Sequence, residues 1–142
     1  MKMRAPAVPL ITVDPYFSIW SYDALNERKT FHWTGKPNTI NGTVTVDGEE
    51  FSFCGENECA KIEQIYCDVN ALVTDYAFSN DKIMLQLSFF TPLFADDLYR
   101  LSRPVSYLKV RYENADGSEH DVRVKIAVSE EICLDTKNQF EV

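Results

Sequence analysis

Alternation of apolar and polar residues with a period of two is the feature that most constrains the fold of this chain. In a β-strand, successive side chains point to opposite faces, so this pattern is typical of strands with one buried face. In the segment 121–129, we expect the face of Val122, Val124, Ile126 and Val128 to be half-buried. Strands are predicted in the segments 43–46, 50–53, 60–66, 71–78, 82–90, 105–112 and 121–129.

Turn signals separate these segments and indicate how the strands connect. Asp47-Gly48 lies between two alternating segments and is a strong signal for a two-residue β-hairpin. About seven short strands joined by turns predict an all-β fold, an antiparallel β-sandwich. Helix content should be low, with one short helix at most between Asp96 and Arg103.

The chain reads as one module rather than several domains. Its 142 residues fit a single β-sandwich spanning residues 1–142. Residues 1–38 are predicted to be a mostly irregular leader, because prolines at positions 6, 9 and 15 disfavour regular structure, and residues 39–142 hold the strands. Residues 137–142 resemble the start of another strand, so we expect a sandwich truncated at its C-terminal end. An open sheet edge would also allow a homo-oligomer.

Composition excludes some classes of partner. A net charge of −8 argues against nucleic acid and against an anionic membrane surface, since both require clustered basic residues. No run approaches the roughly 20 apolar residues of a membrane-spanning helix. No signal peptide is recognised at the N-terminus, which favours a cytoplasmic protein; secretion stays open if that end has been trimmed.

The four cysteines predict neither a metal site nor a redox site. Cys54, Cys59, Cys67 and Cys133 contain no C-x-x-C pair, and the two histidines add no obvious ligand set. A disulfide between Cys54 and Cys59 is one interpretation; four free, partly buried thiols is the one we favour. We expect no cofactor.

Candidate functional residues concentrate in the leader. A histidine there can act as an acid, a base or a ligand, and aromatic rings can line a pocket or stack on a sugar. The same residues can instead fasten the leader to the sheet, and His32 can be a hydrogen-bonded structural residue. The candidates for a pocket or a domain interface are Asp14, Tyr16, Phe17, Trp20, His32 and Trp33.

Catalytic signatures are scarce elsewhere. The sequence has no nucleophile elbow, no S-x-x-K motif and no phosphate-binding glycine loop, so catalytic residues stay unknown. The neighbouring acidic pairs point to opposite faces of a strand and do not form an acid/base pair. His120 is predicted to be a solvated loop residue. Asn41-Gly42-Thr43 matches the glycosylation pattern, which a secreted protein in a glycosylating host could use.

Four motifs carry a family resemblance: residues 4–10 (RAPAVPL), 14–20 (DPYFSIW), 32–35 (HWTG) and 102–107 (SRPVSY). Together they resemble the N-terminal region of glutaminase A-like proteins, a large fungal and bacterial family. The resemblance implies a β-sandwich module that precedes a helical toroid domain, similar in plan to six-hairpin glycosidases. It implies hydrolysis of glutamine to glutamate and ammonia, with the chemistry mainly in the helical part. No established catalytic residue of the family maps onto this chain.

Two functional hypotheses follow. In the first, the chain is a non-catalytic module that packs against a downstream helical catalytic domain of the same hydrolase. In the second, it is a carbohydrate-binding or accessory module of a glycoside hydrolase-like enzyme, with Trp20 or Trp33 exposed for sugar binding. A stand-alone enzyme is a poor interpretation, since no complete set of reacting groups is recognised.

Overall fold

The structure, a computed structural model, describes residues 5–134 and is built almost entirely of strands. The strands are β1 (Val8–Thr12), β2 (Ser18–Ser21), β3 (Ile40–Val46), β4 (Glu49–Cys54), β5 (Ala60–Lys61), β6 (Glu63–Val69), β7 (Val73–Ser79), β8 (Ile83–Phe90), β9 (Tyr107–Asn114) and β10 (Val122–Val128). One helical turn, α1 (Leu98–Leu101), and one 3₁₀ turn, Glu130–Cys133, complete the elements of these residues.

Two four-stranded sheets form the layers of a sandwich. One has the order β10-β3-β4-β5 and the other β6-β7-β8-β9, while β1 and β2 make a small sheet of their own. The strand pairs are antiparallel except for the short parallel pair β4–β5. The prediction of an all-β sandwich is confirmed, and the short helix predicted between Asp96 and Arg103 is α1.

Local signals placed the hairpins and the central strands correctly. Asp47 and Gly48 join β3 to β4 with positive φ values of 52° and 87°, as a two-residue hairpin with right-handed strand twist requires. In β8 the four alternating residues Ile83, Leu85, Leu87 and Phe89 are all buried. In the neighbouring strand β7, the ring of Phe78 lies 6.3 Å from the ring of Phe53 in β4, across the core.

The segment 60–66 is not one strand, as predicted, but parts of two. The chain pairs with β4 at Ala60 and Lys61, and then with β7 from Glu63 onward. Between them, Ile62 is buried in the core and donates its backbone N–H to the carbonyl of Ser52. The chain therefore crosses from one layer of the sandwich to the other at this residue.

The inner face of β10 is less buried than the sequence predicts. Its residues pair with core residues of β3, Val124 with Val44 and Val128 with Ile40, so their side chains share the core-facing side. Val124, Ile126 and Val128 are nevertheless exposed. The prediction of a half-buried face is wrong for these three residues because no described residue of the facing layer covers them.

The leader contributes to the core although parts of it are irregular. Val8, Leu10, Ile19 and Leu25 are buried in the same cluster as the sandwich residues. Backbone and side-chain hydrogen bonds attach the leader to both layers: Thr74 Oγ1 donates to the Pro9 carbonyl, and the buried Asn26 amide donates to the carbonyls of Ser52 and Ile62. The leader therefore packs as part of the sandwich.

The cysteines and the lengths of the helices can be compared with what the sequence predicts. None of the four cysteines is joined to another by a disulfide; Cys54 is buried and Cys133 exposed. Burial raises the pKa of the Cys54 thiol to about 12, so this group is inert near neutral pH. Across residues 5–134, no helix has the length and apolarity needed to cross a membrane. The strand predicted at residues 137–142 lies outside the described residues.

Candidate functional site

The turn between β1 and β2 holds three of the predicted site residues. The Asp14 carboxylate accepts hydrogen bonds from the backbone N–H groups of Tyr16 (2.7 Å) and Phe17 (2.9 Å). This is the geometry of an Asx turn, in which an aspartate side chain bonds to the backbone two residues further on. The Asp14 side chain thus shapes the turn, and the Tyr16 side chain is 93% exposed at its tip.

A second turn, residues 32–36, approaches the first. The His32 backbone N–H donates to the Lys36 carbonyl, and Phe31 pairs with Trp20 on one side and Pro37 on the other. His32 Nε2 lies 3.0 Å and Trp33 Nε1 2.6 Å from the carbonyl oxygen of Pro15. Both rings are therefore fastened to the tip of the β1–β2 turn.

The hydrogen bonds of His32 define its tautomer. A carbonyl oxygen can only accept, so Nε2 carries the proton and donates to Pro15. The other nitrogen, Nδ1, accepts from the Thr34 backbone N–H at 3.4 Å and lies 2.8 Å from the Thr34 hydroxyl. With both ring nitrogens hydrogen-bonded, His32 connects the two turns and presents no free nitrogen as an oriented general base.

Four predicted residues thus meet in one place, which we call the aromatic corner: Asp14, Tyr16, His32 and Trp33. Trp33 is 57% exposed, and its ring lies 5.5 Å from that of His32. Phe17 and Trp20 are half-buried at its base, where the Trp20 indole N–H donates to Ser18 Oγ. Trp20 is therefore not the exposed ring that the sugar-binding hypothesis needs, whereas Trp33 is.

A polar depression on the outer face of the β10-β3-β4 sheet was missed by sequence reasoning. It has a volume of about 380 Å³, and the Glu50 carboxylate in it accepts a hydrogen bond from Thr43 Oγ1 at 2.7 Å. The depression is lined by Asn41, Thr43, Glu50, Asn57, Glu58, Cys59, Lys125 and Ala127. The strand register brings its strand residues together, so the alternation of polar residues along the strands was the only signal in the sequence.

His120 forms a charged cluster with two aspartates, Asp47 and Asp116. Its Nδ1 lies 2.8 Å from Asp47 Oδ2 and its Nε2 3.0 Å from Asp116 Oδ1, and the side chain is only 8% exposed. The prediction of a solvated loop residue is therefore wrong. Lys82 also donates to Asp47 at 3.0 Å, so the cluster links the β3–β4 turn, the β7–β8 turn and the β9–β10 loop.

The charges of this cluster shift its pKa values. Hydrogen bonds to Asp116 and then to Asp47 raise the pKa of His120 above its ordinary value of 6.5. Hydrogen bonds from Lys82 and then His120 lower the pKa of Asp47 to about 2. A raised histidine pKa means that the folded state binds the proton more tightly than the unfolded chain does. This stabilisation is complete below the ordinary histidine pKa and is lost as pH rises through the folded value.

We expect the melting temperature to decrease as the pH is raised from about 6.5 to about 9, because the cluster then loses the imidazolium proton. Thermal unfolding followed by circular dichroism across this range measures the effect. The matched variant His120→Gln keeps a polar side chain but cannot titrate, and its melting temperature should change less over the same range. An equal slope in both proteins would contradict the assignment.

The aromatic corner contains few side chains that could take part in catalysis. Within residues 5–134, no three His, Cys, Asp or Glu side chains gather in a way that could hold a metal ion. The aromatic corner offers exposed rings, one backbone-anchored histidine and a carboxylate engaged by its own turn. Such an arrangement is suited to contact with a flat apolar surface, either of a sugar ring or of another part of a protein.

Comparison with known proteins relates the chain to part of a longer protein. Two family models, each described as a domain of unknown function, match residues 1–66 (DUF4964) and residues 73–141 (DUF5127). Glutaminase A of Aspergillus oryzae is 28% identical over 146 residues, an alignment that covers 95% of this chain and 21% of that protein. No solved structure matches. The chain thus spans about a fifth of its curated relative, and it is the N-terminal region of a glutaminase A-like protein.

Proposed function

We propose that this chain is a non-catalytic β-sandwich module of a glutaminase A-like hydrolase and packs against a helical catalytic domain of the same polypeptide. The observation that carries the proposal is the coverage of the match: nearly all of this chain aligns with only 21% of glutaminase A. The reaction proposed for the whole protein is the hydrolysis of glutamine by water to glutamate and ammonia.

The aromatic corner is the proposed contact with the catalytic domain. Tyr16 and Trp33 are large exposed rings, and Trp33 is held by its hydrogen bond to the Pro15 carbonyl. A ring that is already fixed loses little conformational freedom on contact, which favours its use as an interface anchor. His32 supports the corner by fastening the same turn.

Ammonia release from glutamine tests this function. We expect activity in the protein that includes the downstream sequence and none in the 142-residue chain alone. In the longer protein, Trp33→Ala should reduce activity or lower the melting temperature, because an interface anchor is lost. Tyr66→Ala, which removes an exposed ring from β6 outside the corner, is the matched control. Glutaminase activity in neither protein would overturn the assignment of substrate, and activity in the short chain would overturn the non-catalytic role.

The exposed ring of Trp33 also favours a second candidate function, carbohydrate binding by the isolated module. A stacked sugar would quench or shift the Trp33 fluorescence, and we expect Trp33→Ala to lose at least about 1 kcal/mol of binding free energy. Titration with mono- and oligosaccharides at millimolar concentration measures this, with Tyr66→Ala again as the control. The absence of saturable binding by the unaltered chain would remove this candidate.

A further inference from the structure

We propose that the free edge of β10 pairs with an additional β-strand from a segment of the same polypeptide that follows Leu134 in sequence. The inference deepens the proposed function and rests on one part of it, that the chain is one module of a longer protein. The edge of β10 is then the surface at which the sandwich continues. Three features of β10 favour this pairing: its register, the exposure of its inner face and the charge of its outer face.

The register of β10 against β3 determines which of its backbone groups face the free edge. Ser129 N–H donates to the Thr39 carbonyl, and Asp47 N–H donates to the Asp121 carbonyl. Hydrogen-bonded pairs alternate along an antiparallel ladder, so Arg123, Lys125 and Ala127 are the residues of β10 that bond to β3. The backbone N–H and C=O groups of Val122, Val124, Ile126 and Val128 therefore point away from β3, toward the free edge.

The same residues carry the exposed apolar side chains. Ile126 is 41% and Val128 58% exposed, although both lie on the core-facing side of the sheet. The edge has seven residues in regular register, without a bulge or a proline. Proteins usually protect such an edge with bulges, prolines, inward-pointing charges or charged side chains, and β10 has only the last of these, Arg123 and Lys125 on its outer face. An added strand would cover the side chains and satisfy the backbone groups together.

The facing layer is open on the same side. β9 is the edge strand of the second sheet and is joined to β10 by residues 115–121. Its inward-facing residues Leu108 and Val110 are only partly buried, and Tyr112 is exposed. Among the described residues, the core is thus incompletely covered along the side bounded by β9 and β10. A strand beside β10 would add its own apolar residues to this region.

The outer face of β10 favours a strand from the same polypeptide over a second copy of the chain. Arg123 and Lys125 point outward, and a second copy paired edge to edge would bring the same two cations alongside them. Like charges placed across neighbouring strands are unfavourable, and each copy also carries a net charge of −8. A strand with apolar inner and acidic outer residues fits both faces. Glutaminase A, of which this chain spans 21%, is long enough to supply one.

Residue-resolved hydrogen–deuterium exchange in the longer protein tests the proposal. We expect the amides of Val124, Ile126 and Val128 to exchange at least about tenfold more slowly than expected for free edge amides, since each would gain a hydrogen bond. The amides of Arg123, Lys125 and Ala127 are internal controls, since they already bond to β3. Unprotected amides at all three edge positions in the longer protein would overturn the proposal.

Measurements on the 142-residue chain distinguish the competing occupant. Protection that grows with concentration, together with a doubled mass in analytical ultracentrifugation, would assign the edge to a second copy and overturn the proposal. Protection that does not depend on concentration would place the strand within residues 135–142 and support it. Glutaminase activity is independent of both readouts, so a failed substrate assignment and a failed edge assignment can be told apart.

Paired variants provide a second test. In the longer protein, Ile126→Asp puts a charge on the covered inner face and should lower the melting temperature, while Ala127→Lys puts a single charge on the outer face, where acidic residues of the added strand would tolerate it. In the longer protein, we expect Ile126→Asp to lower the melting temperature more than the outer-face variant does. In the short chain, where Ile126 is 41% exposed, Ile126→Asp should have a smaller effect than in the longer protein. Equal effects of the two variants in the longer protein would contradict a covering strand.

Discussion

Replacing Gly55 with alanine is expected to destabilise the sandwich by about 3 kcal/mol, because the new side chain meets two obstacles at once. Gly55 has a φ of +76°, which is unfavourable for any residue with a Cβ atom. The added Cβ would also lie 2.5 Å from the Ile40 carbonyl oxygen and closer still to Asn41 Oδ1. The backbone at this point cannot move freely, since Gly55 N–H donates to the Leu25 carbonyl.

Gly117→Ala is the matched control for this prediction. Gly117 has a similar φ of +79°, but a Cβ there would meet no atom within 4 Å. Gly117→Ala should therefore lower the free energy of unfolding only through the unfavourable backbone conformation, by about 1 kcal/mol. Urea unfolding of both variants measures the two free energies. If the free energy of unfolding falls equally in both variants, the close approach of Gly55 to the Ile40 carbonyl does not constrain the fold.

The parts of the fold that follow from local sequence were predicted well. The alternation in β8 and the Asp47-Gly48 turn depend on neighbours within a few residues, and both occur where predicted. Burial depends on what lies opposite in space, which the pattern does not contain. The apolar face of β10 therefore predicted a half-buried strand, whereas the structure leaves Ile126 of that face exposed at a sheet edge.

The candidate site shows the same division between local and distant information. The Asx turn at Asp14 could be predicted from the sequence Asp14-Pro15 alone. The hydrogen bonds of His32 and Trp33 to the Pro15 carbonyl could not be predicted in this way. They are made by side chains that lie 17 and 18 positions after Pro15 in the sequence. His120 was missed for the same reason: its partner Asp47 is 73 residues away. Whether the aromatic corner contacts another domain stays a prediction.

The leader was predicted to be mostly irregular, and β2 within it provides the second large expected effect. Ile19 is fully buried, with Val8, Leu10 and Leu25 in the same cluster. Replacing it with alanine should cost about 3 kcal/mol, because the core loses three carbon atoms and a cavity is left. Ile65→Ala makes the same change at a residue of β6 that is 52% exposed, and should cost about 1 kcal/mol or less.

Urea unfolding of the two isoleucine variants decides whether the leader belongs to the cooperative unit. A large loss for Ile19→Ala with an unchanged m-value means that the leader and the sandwich unfold together. A small loss, or an additional early transition, would mean that the leader separates before the sheets do. In that case the aromatic corner would also separate, because its two turns are carried by the leader, and it could not serve as a fixed contact surface for a second domain.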